Sequence, residues 1–158
     1  MSEPVQAVAN FFIKKSAEER KPITPMKLLK LVYIAHGWHL GLTQTTLIDE
    51  SVEAWRYGPV IPSLYRKFKS FGDSPIPESA IATNVQLSSP ERLEPFLQSV
   101  WNIYSKYDGL QLSSMTHAPN TPWYQVWHVE EGKNYMGADI PNRLIQQHYM
   151  EKAATNAG

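Results

Sequence analysis

The chain has no cysteine among its 158 residues. This excludes disulfide bonds, thiolate metal sites and a cysteine nucleophile, and it fits a reducing compartment. A surplus of either charge is also missing, since Lys plus Arg and Asp plus Glu both number 15. Nucleic-acid binders draw much of their affinity from phosphate contacts and usually carry a basic excess. Any such contact here would have to come from a local patch. No apolar run has the length needed to cross a bilayer. The start, MSEPVQAVANFFIKK, lacks a charged opening followed by an apolar core and a cleavage site. No signal peptide is therefore expected, and the cytoplasm is the expected location. Also lacking are a G-x-x-x-x-G-K-[ST] loop, a G-x-G-x-x-G fingerprint, an H-E-x-x-H pair and a G-x-S-x-G elbow. No internal repeat is present.

What is present is a mostly helical pattern, in a chain long enough to bury a core without staples. Residues 1–158 read as one domain. The fold expected is mainly α, a compact bundle of about five or six helices with a small antiparallel β element. Val5, Val8, Ala9, Phe12 and Ile13 form one stripe of a first helix, Pro4 to Glu19. Thr24 can cap a second helix, with Pro25 in its first turn. That helix runs to about Leu42 and is apolar on most faces, which predicts a central position. Its main charged exceptions are Lys27 and Lys30. Ser51 to Tyr57 alternates like a strand, which Gly58-Pro59 ends. A partner strand is expected near Tyr135 to Ile140. A third helix follows Pro62 and stops at Gly72. Asp73 to Ser89 reads as an irregular connection. Helix four is expected from Glu94 to Tyr107, starting just before Pro95 because proline breaks helix interiors. A short helix over Leu110 to Thr116, a second cap at Thr121-Pro122, a polar loop over Glu130 to Asn134 and a last helix from Pro141 complete the pattern. The tail from Ala153 to Gly158 is expected to fray.

Catalytic and metal chemistry find little support. His36 and His39 share a helix face, but no further ligand set accompanies them, and two partly buried histidines beside Trp38 explain them. Ser113, Ser114, Thr116 and His117 lie close in sequence, which says little about a Ser–His pair, and a hydrogen-bonding corner at a helix end is the simpler reading. No catalytic residue, metal ligand or cofactor is assigned. Arg66, Lys67 and Lys69 beside Tyr65 and Phe68 form a basic–aromatic cluster, with Lys27 and Lys30 as candidates to extend it. The outer face of an amphipathic helix explains the same residues, so nucleic acid is not the expected partner. Trp55, Tyr57, Trp123, Tyr124 and Trp127 lie beside loops and prolines, where binding residues gather.

Three stretches carry a family likeness: TPMKLLKLVYIAHGWHL (Thr24 to Leu40), EAWRYGPVIPSLYRKF (Glu53 to Phe68) and MTHAPNTPW (Met115 to Trp123). In their order and spacing they resemble the Panacea domain, also called the SocA-like antitoxin domain, over about Val5 to Tyr149. The resemblance implies a prokaryotic or phage-borne antitoxin of a two-gene pair, without enzymatic activity. Its partner would be a cognate toxin, encoded by the adjacent gene. In one branch the antitoxin resembles an adaptor that hands its toxin to a ClpXP-type protease. Many members carry an extra terminal region, so this chain looks like a minimal member. The residues carried over as family-motif or partner-binding candidates are Lys27, Lys30, Tyr33, Trp55, Arg56, Tyr57, Gly58, Pro59, Tyr65, Thr116, His117 and Trp123. Four readings are weighed: an antitoxin that neutralises its toxin by direct binding, a proteolytic adaptor, a nucleic-acid-binding regulator resting on Arg66, Lys67 and Lys69, and, ranked last, an enzyme with His117 as its best candidate.

Overall fold

The computed structural model describes residues 2–157. The longest helix, α2 (Pro25–Thr43), starts where the sequence places it: the Thr24 hydroxyl accepts from the Lys27 amide, and Pro25 occupies the first turn. Its side chains are buried nearly all round, from Leu28 and Leu31 to Ala35 and Leu40. It is the axis of the fold. Packed around it are α1 (Val5–Glu19), α3 (Pro62–Phe68), α4 (Pro90–Tyr104), α5 (Gly109–Thr116) and α7 (Asn142–Ala157). A single turn, α6 (Pro122–Tyr124), continues into a π-helical turn over Gln125–Val129. Among the described residues the α elements number seven, the short α6 arising at the cap that Thr121-Pro122 offers.

A three-stranded antiparallel sheet lies against one end of α2. Its order is β2 (Gly58–Val60), β1 (Val52–Trp55), β3 (Ala138–Ile140). β1 pairs Trp55 with Gly58 and Ala54 with Pro59 on one side, and Val52 with Ile140 on the other. Gly58-Pro59 therefore opens a second strand instead of ending the first. The reason is a two-residue turn at Arg56 and Tyr57, which keep negative φ, followed by Gly58 at φ +119. Gly58 alone supplies the backbone reversal that lets the chain fold back.

Two further expectations are corrected. Helix α4 begins at Pro90, and Pro95 sits inside it. The amide that Pro95 lacks would have bonded the carbonyl of Glu91, and both residues are exposed, so water can take that place. The expected frayed tail is helical from Ala153 to Ala157, as part of α7. Gly158 lies outside the described residues. Helix α7 docks on α2 through small residues. A Cβ on Gly37 would lie 2.2 Å from Cε2 of Tyr149, and one on Gly41 2.7 Å from its Cβ. The connection after Gly72 is pinned, not loose. The Ile76 amide donates to the Ile23 carbonyl, and the Asn10 side chain brackets Ala82 from both sides.

Candidate protein-binding site

The three sequence stretches that carry the family likeness converge on the β1–β2 hairpin. Three carbonyls in alternate positions along its turn are each taken by a side chain from a different helix. The indole N–H of Trp123, on α6, donates to Trp55 O at 2.6 Å. The hydroxyl of Ser113, on α5, donates to Tyr57 O at 2.6 Å. The amine of Lys30, on α2, donates to Pro59 O at 2.9 Å. All three donors are buried. Pro59 is buried, and a buried carbonyl left without a partner costs about 1–3 kcal/mol, so the Lys30 bond in particular fixes the hairpin's position.

Gly58 fits this clamp in a second way. A Cβ there would sit 2.9 Å from Lys30 Nζ and 3.5 Å from Thr116 Oγ1. Thr116 itself turns inward and donates to the carbonyl of Leu112. His117 ends α5 with its ring 5.2 Å from that of Trp123. Its Nδ1 is 3.3 Å from Ser113 Oγ, but the serine proton is already committed to Tyr57 O. The Ser113–His117 corner is accordingly part of the clamp. Burial lowers the pKa of Lys30 to about 7, because a charged amine is poorly solvated there.

Holding the hairpin this way leaves its tip in solvent. Arg56 and Tyr57 are exposed, Tyr57 by 61%. The Arg56 guanidinium lies over the Tyr57 ring at 5.7 Å. Below the tip runs a groove of about 340 Å³ between the start of α2, the hairpin and α3. Met26, Leu29 and Val60 form its apolar floor, and Trp55 and Tyr65 meet edge-to-face at 4.9 Å along one wall. Arg56 and Lys69 stand at its edge with Asp73. A larger concavity of about 420 Å³ between α1 and α4 is lined by charges of both signs, including Lys14, Glu18, Glu91 and Glu94.

The sequence candidates thus separate by position. Arg56, Tyr57 and Tyr65 are exposed, and Trp55 and His117 are half-buried. Lys30, Gly58, Pro59, Thr116 and Trp123 build the clamp from inside. Tyr33 lies in the core against Tyr149, and burial raises the pKa of its hydroxyl. Lys27 turns away from the hairpin: its amine donates to the Ser105 carbonyl at 2.6 Å and lies over the Trp101 ring. Neither Lys27 nor Lys30 extends a basic surface. Ser113, Met26 and Leu29 belong to the site but were not among the candidates, and for the two groove residues the sequence held no signal beyond apolar character.

The histidine pair is a packing feature. His36 Nε2 is 3.1 Å from Asn142 Oδ1, while His39 Nδ1 faces the Thr45 carbonyl and its Nε2 faces Arg92. Among the described residues no group of three His, Cys, Asp or Glu could hold a metal ion. Among the same residues no helix is long and apolar enough to cross a membrane.

The family described as "Antitoxin SocA-like, Panacea domain" matches residues 28–124, a span that holds the hairpin and all three of its clamping side chains. Antitoxin SocA of Caulobacter vibrioides is 32% identical over 156 aligned residues, covering 94% of this chain and 83% of that protein. No solved structure matches. With a family profile matching residues 28–124 and a relative aligned over 94% of its length, the chain belongs to the SocA-like antitoxin family of Panacea domains.

Proposed function

We propose that this chain is a cytoplasmic antitoxin that neutralises a cognate toxin by direct, non-enzymatic contact, with the clamped hairpin tip as the centre of the contact surface. The observation that carries this reading is the division of labour in the family's motifs. Their buried members hold the hairpin, and the residues so held out, Arg56 and Tyr57, are exposed to solvent. A fixed aromatic beside an arginine is the composition of an interface hot spot. Neutralisation would be steric, the tip covering the toxin's active site or locking an inactive form.

Co-expression with the product of the neighbouring gene tests it. Growth is expected to stop with that product alone and to resume when the antitoxin is present. Arg56→Ala with Tyr57→Ala should abolish rescue without lowering the melting temperature. A neighbour that is not toxic, or full rescue by the double variant, would refute the reading. Delivery to a ClpXP-type protease, the alternative reading, makes a different prediction: the toxin's half-life would shorten only in cells that contain ClpX.

A further inference from the structure

The clamped hairpin and the groove beneath it differ from the rest of the surface in charge. Among the described residues only Lys15–Glu18 and Lys21–Glu19 form ion pairs within 4.0 Å. Arg56 and Lys69 at the groove edge, and Arg66 and Lys67 further along α3, are exposed cations with no such partner. Asp73 is the groove's one acidic lining residue. The chain as a whole is neutral, so this positive field is local. Unpaired cations around an apolar floor are complementary to a segment with acidic flanks and apolar or aromatic anchors.

The backbone narrows the mode of contact. The Pro59 carbonyl is already taken by Lys30, and Pro59 has no amide to offer. Beside it, the Tyr57 carbonyl is taken by Ser113. An incoming strand would find little to pair with along β2, so recognition must run through side chains instead of sheet extension. A nucleic acid is disfavoured by the same surface. Its phosphates would need a longer track of exposed cations, and Lys27 and Lys30 are both buried.

We infer that the groove between the start of α2, the β1–β2 hairpin and α3 is the docking site for an acidic, aromatic-bearing segment of a partner protein. This rests on the proposed antitoxin role only in naming the toxin as the protein that carries the segment; the site itself follows from the groove. Met26, Leu29 and Val60 would receive the anchor, Tyr57 and Tyr65 would flank it, and Arg56 and Lys69 would meet its carboxylates.

The test needs no toxin. Isotope-labelled protein is titrated with a random copolymer of glutamate and tyrosine, with a copolymer of lysine and tyrosine, and with a fluorescent oligothymidylate. The acidic copolymer should bind and shift the resonances of Met26, Tyr57, Tyr65 and Lys69, while the basic one should not. Arg56→Glu with Lys69→Glu should weaken binding about tenfold or more, and raised salt should do the same. The control reversal Lys14→Glu with Arg143→Glu, at exposed positions away from the groove, should change it far less. Absence of binding, shifts centred elsewhere, equal loss in the control pair, or tighter binding of the oligothymidylate would each overturn the inference. If the reversed variant unfolds, the map of shifts on the unaltered protein still decides. Groove binding without growth rescue would remove the toxin and keep the site; rescue without groove binding would do the reverse.

Discussion

Lys30 shows how one buried side chain couples ionisation to shape. Its amine holds the Pro59 carbonyl, and burial lowers its pKa to about 7. In the unfolded chain the same amine titrates near ~10.4. Between these values the unfolded state holds more protons than the folded one. Stability from this group therefore rises with pH from about 7 to about 10 and is lost on the way back down. One proton sets a slope of at most ~1.4 kcal/mol per pH unit. Chemical denaturation of Lys30→Met near pH 7.5 and near pH 9.5 should show a smaller rise in stability than the unaltered protein shows. An unchanged rise would mean that the amine is solvated. The motif residues around it were visible in the sequence as a set. That they meet at three consecutive odd-numbered carbonyls was not, because a sequence does not say which backbone oxygen a donor will reach.

At the scale of elements, legibility followed the strength of local signals. The start of α2 was plain because Thr24 and Pro25 agree with the apolar run that follows. The start of α4 was misplaced because two prolines compete, and only the exposure of Glu91 and Pro95 shows that the inner one is tolerated. The second strand was missed because the turn's reversal comes at Gly58, after the turn residues themselves. The docking of α7 was invisible for another reason: the spacing of Gly37 and Gly41 is informative only once Tyr149 is known to lie against them. That contact can be measured. Gly37→Ala should destabilise the protein by about 1–3 kcal/mol in urea denaturation, since the new methyl overlaps the Tyr149 ring. Combined with Tyr149→Ala, which empties that space, the added cost of Gly37→Ala should largely vanish. Additive costs would place the strain elsewhere.

For the molecule as a whole, the helical class and the small antiparallel sheet were legible, while the site was legible only as a list of residues without depth. The histidines add a global property. Burial lowers the pKa of His36, His39 and His148. The unfolded chain thus binds more protons as pH falls below about 6.5, and stability should decline from about pH 7 to about pH 5. Thermal melts over that range should show the decline, and His36→Gln, which keeps a donor near Asn142, should flatten part of it. A flat profile in the unaltered protein would contradict the burial of these rings.

The hairpin clamp also has a consequence for synthesis. Its donors lie 29, 56 and 68 residues from the carbonyls they hold. The tip therefore cannot take its final place when the hairpin itself emerges from the ribosome. It must wait for α5 and then for Trp123, so on the proposed reading the contact surface is complete only once the chain has been made past that point and folded. A prematurely terminated product would carry the same Arg56 and Tyr57 on an unanchored turn. The distance in sequence between this loop and the side chains that hold it thus ties the tip's final shape to completion of the clamp.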